Sequence, residues 1–214
     1  MIKIAILGAE STGKSELAQA LGRQLNQSGQ HTVVVAETLR QWCDQQGRTP
    51  RADEQAGIAR EQTRRIDAVQ GCDIVLADTT ALMVAVYSEL LFGDRSLHAF
   101  ALEQQRRFDL TLLTGLDLPW VADGIQRDGP QVRAPVDGLL RGLLEQAAIG
   151  YATVYGSGPQ RCANALRALG IAGAAAPGQA APANAAAAPW RWDCDKCSDP
   201  ACEQRLFGAL LGRG

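Results

Sequence analysis

Glycines at positions 8 and 13, followed at once by Lys14 and Ser15, bracket the octapeptide "GAESTGKS". The spacing suits phosphate. Two glycines let the chain turn so that successive N–H groups point inward, an ammonium spans the β- and γ-phosphates, and a hydroxyl meets Mg²⁺. The stretch Gly8, Ala9, Glu10, Ser11, Thr12, Gly13, Lys14, Ser15 and Glu16 is therefore expected to bind ATP, with Lys14 acting on the transferring phosphoryl group and Ser15 on the metal. Such a loop needs a carboxylate at the end of a neighbouring strand. "CDIVLAD" offers Asp78, expected to hold the magnesium shell, with capping of the following helix as the plainer role.

A second carboxylate, Glu37 in "AETLRQW", is expected at the carboxyl edge of the sheet, where it could accept a hydrogen bond from a sugar hydroxyl or take its proton. Arg40, one turn on, could face phosphate or pair with Glu37 at i, i+3. Further along, "DLPWVADGIQRDGPQVRAPVDGLL" carries Gly124, Arg127, Gly129, Pro130 and Arg133 and reads as too glycine-rich and broken for a core helix. A flap with two arginines can close over a transferring phosphoryl group and exclude water, and Arg127 and Arg133 are expected to serve in this way.

These residues need a scaffold. Short β-branched or apolar runs, "KIAILG", "HTVVVAE", "CDIVLAD", "DLTLLTG" and "GYATVYG", predict five strands. Between and after them lie helical patterns: "KSELAQALGRQLNQSG", "TLRQWCDQQGR", "ADEQAGIAREQTRRIDAVQG" with Asp53 as its cap, "TALMVAVYSELLFG", "HAFALEQQRRF" and "PQRCANALRALGI". The alternation predicts an α/β P-loop NTPase fold, a parallel five-stranded sheet with helices on both faces, over residues 1–171. Residues 172–189 are Ala/Pro/Gly-rich and predict a flexible linker; residues 190–214, with Trp190 and Trp192, predict a tail that docks on the core or on a partner chain.

The chain has 214 residues and six cysteines. Cys43, Cys72 and Cys162 are scattered and expected to be inert buried thiols. Cys194, Cys197 and Cys202 crowd the tail and could hold Zn²⁺, with a fourth ligand from Cys162, a tail aspartate or a second chain; free thiols on a docking segment are the alternative. A formal net charge of −2 gives no footprint for nucleic acid. The longest apolar stretch is interrupted by Tyr87, Ser88 and Glu89 and too short to span a bilayer, and "MIKIAILG" reads as a strand rather than a signal peptide. A cytoplasmic protein is expected, with ATP and a small acceptor as partners, no nucleic acid, no membrane, and a homo-oligomer or protein partner engaged through the tail.

The segments "GAESTGKSELAQAL", "AETLRQW", "ADTTALMVAVYSELLFG", "DLPWVADGIQRDG" with a following Arg133, and "VYGSGPQRCANAL" resemble the ribosylnicotinamide kinase domain of the bifunctional NAD-biosynthesis regulator family and the P-loop ATPases grouped with it. The resemblance implies ATP-dependent transfer of the γ-phosphoryl group to the ribose 5′-hydroxyl of nicotinamide riboside. It further implies that Trp120 stacks on the nicotinamide ring, that Asp123 lies near substrate hydroxyls or metal at the base of the flap, and that Arg161 lies against the adenine. No H-x-G-H run occurs and the chain has only His31 and His98, so the resemblance extends to the kinase step and not to the adenylyltransferase half. Two functions stay open: a small-molecule kinase, with another nucleoside or a nucleoside monophosphate as the second acceptor choice, and a regulatory ATPase that passes hydrolysis to a partner.

Overall fold

Side chains alternate across a strand, and in β1 (Ile2–Leu7) that alternation sorts the core into two halves. Ile4 and Ile6 face one way, Ala5 and Leu7 the other, and all four are buried. The computed structural model describes residues 1–121 and 129–170. In it β1 is the centre of a five-stranded parallel sheet with β2 (Thr32–Val35), β3 (Ile74–Asp78), β4 (Leu110–Thr114) and β5 (Ala152–Val154), in the order β2-β3-β1-β4-β5. All five expected strands are present. A parallel sheet with both faces apolar must be covered on both.

Helices α1 (Lys14–Gln27) and α7 (Gly158–Ala168) cover the Ile4 and Ile6 face. Leu17, Leu21 and Leu25 of α1 and Cys162, Ala165 and Leu166 of α7 pack there with Ile74, Leu76, Leu112 and Val154. The opposite face is covered by α3 (Ala52–Asp67), α4 (Ala81–Phe92), α5 (His98–Gln105) and α6 (Arg133–Gln146), around Ala5, Leu7 and Leu113. The first six residues of α4, Ala81 to Val86, are all buried, the pattern of a helix enclosed by neighbours. A shorter helix, α2 (Thr38–Gln46), follows β2.

Two expectations need correction. The segment expected to be too broken for a core helix contains a 3-10 turn, Pro130–Val132, and then the fourteen-residue α6. Its glycines are harmless because Gly138 and Gly142 have open space where a side chain would project, and Pro135 lies in the first turn, where its missing N–H costs nothing. Val136, Leu140, Leu143 and Leu144 recur at helical spacing and bury. The second correction is the start of α3. Its N-cap is Arg51, whose backbone N–H donates to the Glu54 carboxylate at 2.8 Å, so Glu54 rather than Asp53 holds the helix end. Asp53 remains an exposed first-turn acid.

Cys43 and Cys162 are buried, whereas Cys72 is half-buried. Burial pushes the Cys43 thiol up to about 11 and raises that of Cys162, which keeps both as poor nucleophiles. Among the described residues no helix is long and apolar enough to cross a membrane. Residues 172–189 and 190–214 lie outside the described residues.

Truncating Leu144, fully buried on α6, is expected to lower stability by about 2–5 kcal/mol in Leu144→Ala, measured by denaturant unfolding. A loss of less than roughly 1 kcal/mol would place α6 outside the core.

Candidate nucleotide and acceptor site

Strand register brings the chemistry to one edge. Ile6 pairs with Asp78, Val35 with Ala77 and Leu7 with Leu113, so the loop after β1, the carboxylate ending β3 and the turn after β2 emerge side by side. This is the carboxyl edge, where open α/β sheets bind ligands.

The glycine loop is fixed from below. Gly8 has φ 145°, and a Cβ there would sit 2.1 Å from the Thr114 hydroxyl, so the backbone occupies a place that only glycine can take. Thr12 Oγ1 and Thr114 Oγ1 lie 2.7 Å apart, with Ala9 O 2.7 Å from the first and Leu7 O 3.0 Å from the second. Two hydroxyl protons are thus shared among three buried contacts that tie the loop to β1 and β4. Gly13, at φ 74°, turns the chain into α1 and leaves the first N–H groups of that helix, with Lys14 and Ser15, at the head of the loop. Glu16 is exposed in the first turn of α1.

Arg161 is placed beneath this loop. It is buried, pairs with Asp117 at 3.0 Å, and donates to the carbonyls of Thr12, Gly115 and Gly156 at 2.9, 3.2 and 2.6 Å. Both terminal nitrogens are engaged within the protein, and the residue does not line the cavity described below. Arg133, expected on a flap, stands buried at the head of α6 and donates to the carbonyls of Leu116 and Leu118 at 3.0 and 2.8 Å. It holds down the stretch after β4. That stretch reaches the phosphate loop, because the Val121 N–H donates to Ser11 Oγ at 2.8 Å. Trp120, beside it, is half-buried, its indole N–H has no hydrogen-bond partner among the described residues, and it too does not line the cavity. Asp123 and Arg127 lie outside the described residues.

A cavity of about 360 Å³ opens along the loop. It is lined by the stretch from Glu10 to Glu16, by Glu37 and Arg40 with other residues of α2, by Gln55 on α3, and by Tyr87 and Leu91 on α4. Lys14 is only half-exposed and its Nζ donates to Ala9 O at 2.9 Å. Burial lowers its pKa, opposed by the negative charges of Glu37 and Asp78. Glu37 begins α2 with its side chain 11% exposed and 3.6 Å from Arg40. Burial raises its pKa, with the charge of Lys14 pulling the other way. Asp78 is 5% exposed, and its Oδ1 has no hydrogen-bond partner among the described residues. An unpartnered buried carboxylate oxygen and the Ser15 hydroxyl form an oxygen donor set that fits Mg²⁺.

Lys14, Glu37, Arg40 and Ser15 thus meet at one cavity, with Asp78 close enough to act on the charges of Lys14 and Glu37. Sequence reasoning assigned no role to Gln55, Cys43 or Tyr87, which also line it. Tyr87 stands in the "DTT…Y…LFG" stretch, and Gln55 is in register with Ile58, Ala59 and Gln62 on the buried face of α3, so both carried a signal. Cys194, Cys197 and Cys202 lie outside the described residues, and among those described no group of three or more His, Cys, Asp or Glu could hold a metal ion.

Fold and site define a P-loop protein. More particularly, the chain belongs to the AAA domain family, whose model matches residues 3–161. No curated protein matches the chain. Among solved structures it is similar to NadR protein in complex with NR, at TM-score 0.63 and 19% identity over 78% of this chain and 50% of that one. NadR protein in complex with NAD and AMP-PNP gives 0.61 and 19%, over 78% and 48%. Deoxyadenosine kinase from M. mycoides with bound dATP gives 0.54 and 11%, over 79% and 100%. The chain spans about half the length of the NadR chains it matches. These likenesses establish a common fold.

Gly8→Ala is expected to weaken ATP binding by about tenfold or more, since the added carbon must displace the Thr114 hydroxyl or the loop. Titration calorimetry reads the affinity, and circular dichroism checks the fold. Unchanged affinity in a folded variant would contradict the fixed-loop account.

Proposed function

We propose that the protein is an ATP-dependent small-molecule kinase acting on a hydroxyl of a nucleoside-class acceptor, with nicotinamide riboside as the first candidate. The observation that carries this reading is the lining of the cavity. The phosphate loop, the buried Glu37 carboxylate and the apolar side chains of Leu39, Tyr87 and Leu91 line it together, as a site for an acceptor beside the phosphates requires. Its volume lies in the usual range of small-ligand pockets, roughly 300–1,000 Å³. A regulatory ATPase needs only a water there.

In this reading the loop amides and Lys14 hold the triphosphate, and Ser15 and Asp78 hold Mg²⁺, which neutralises charge on the phosphates. Glu37 orients the acceptor hydroxyl and takes its proton as the phosphoryl group transfers. A raised pKa suits that task, because a stronger base accepts the proton more readily. Arg40 steadies Glu37 or a phosphate oxygen, and Tyr87 and Leu91 offer flat apolar surface to a ring. Two proteins of similar fold are named for such ligands, NadR in complex with NR and deoxyadenosine kinase, which supports the acceptor class.

The test is incubation with ATP, Mg²⁺ and a panel of nucleosides, reading phosphorylated acceptor. ADP released equally fast without any acceptor would replace the kinase by the regulatory ATPase. Lys14→Ala is expected to cut turnover by about 10²–10³-fold or more with an unchanged melting temperature; undiminished turnover would refute the phosphate assignment. The pH profile gives an independent reading. Protonated Glu37 cannot act as base, so kcat/KM is expected to fall on the acid side through an apparent pKa above the ordinary carboxylate range. Glu37→Gln should abolish that limb, and a variant that keeps it would remove Glu37 from the proton transfer.

A further inference from the structure

Two glutamines, seven residues apart, share the buried face of α3. Gln62 is fully used: its Oε1 accepts the Thr38 N–H at 2.7 Å and its Nε2 donates to Thr79 O at 3.3 Å, stitching α3 to the turns after β2 and β3. Gln55 is different. It is 2% exposed, its Oε1 has no hydrogen-bond partner among the described residues, and it lines the same cavity as the phosphate loop. A buried carbonyl left without a donor destabilises the fold, and a hydrophobic residue would fill the same place without that cost. The penalty is relieved once something entering the cavity supplies an N–H.

The surroundings indicate which part of a ligand that is. The charged lining groups Lys14, Glu37 and Arg40 are of the kind that serves phosphate and a reacting hydroxyl, and Lys14 feels the charges of the other two. Gln55 is a neutral amide on a helix that packs against α4, and the lining nearby in the chain or contributed by α4 includes Pro50, Tyr87 and Leu91. A neutral hydrogen-bonding group set among apolar surfaces reads the polar substituent of a flat ring.

We propose that Gln55 is a specificity-determining residue of the acceptor site. Its side-chain carbonyl receives an N–H from the carboxamide or amino group on the acceptor's ring and so selects such acceptors over analogues that lack the donor or present a carboxylate there. This rests on the kinase reading of the cavity and deepens it, by adding a chemical requirement at the end of the acceptor remote from the transferred phosphate. A site built around one hydrogen bond discriminates strongly, because the wrong ligand leaves the protein's own buried group unpaired.

Two matched pairs test it: nicotinamide riboside against nicotinic acid riboside, and adenosine against purine riboside, which lacks the 6-amino group. Binding is read by calorimetry and phosphorylation by steady-state kinetics. The wild-type protein is expected to favour the donor-bearing member of at least one pair by about a hundredfold. In Gln55→Leu that preference should collapse to within about threefold, through a higher KM for the acceptor, while the KM for ATP stays unchanged and the melting temperature does not fall. Gln55→Met, closer in length, replaces the leucine variant should that fail to fold. Phosphorylation without preference in either pair, or a preference that survives in a folded Gln55 variant, overturns the role of Gln55 and leaves the kinase standing. Selective binding without phosphorylation supports the role of Gln55 and overturns the kinase. Binding of neither pair overturns both.

Discussion

The short contact between two buried hydroxyls, those of Thr12 and Thr114, is the constraint on which the carboxyl edge of the sheet depends. It joins the far side of the glycine loop to a strand more than a hundred residues away in the chain, and it does so through the space that Gly8 leaves empty. Arg161 adds a second anchor on the carbonyl of Thr12, and Asp117 holds Arg161 in turn. A loop whose carbonyls are tied downward has its remaining main-chain donors free to serve a ligand above. Preorganisation of this kind is what phosphate binding requires, since a loop that had to be ordered at each encounter would lose affinity to entropy.

Electrostatics give the edge its direction. An ammonium, Lys14, lies within the influence of two buried carboxylates, Glu37 and Asp78. Burial penalises the charges of Lys14 and Glu37, and the attraction between them offsets only part of that cost. The shifts of Lys14 downward and of Glu37 upward are the record of it. Lys14 resting on the carbonyl of Ala9 and an Asp78 oxygen with no partner describe a site whose satisfaction is incomplete from within. A triphosphate with its cation would complete it.

The chain showed its sheet, its phosphate loop and the placement of Glu37 and Asp78 plainly, because each depends on local signals: β-branched runs, paired glycines and a polar residue ending an apolar strand. Helix α6 was hidden by composition. Pro135, Gly138 and Gly142 argue against a helix one at a time, and only the spacing of Val136, Leu140, Leu143 and Leu144 outweighs them. Long-range partnerships were hidden altogether. Nothing in the sequence near Arg161 or Arg133 says that their guanidiniums meet main-chain carbonyls from distant turns, and an arginine near a loop reads more readily as a ligand contact than as a strut. Gln55 and Tyr87 were visible as helix residues, but the cavity they share exists only once α3, α4 and the phosphate loop are brought together.

The central claim is that this loop and Lys14 grip a nucleoside triphosphate. A crystal structure with a non-hydrolysable ATP analogue and Mg²⁺ tests it most directly. The account predicts Lys14 Nζ moved from the carbonyl of Ala9 onto the β- and γ-phosphate oxygens, with the contact between Thr12 and Thr114 intact. An analogue bound elsewhere, with Lys14 still on Ala9, would contradict it.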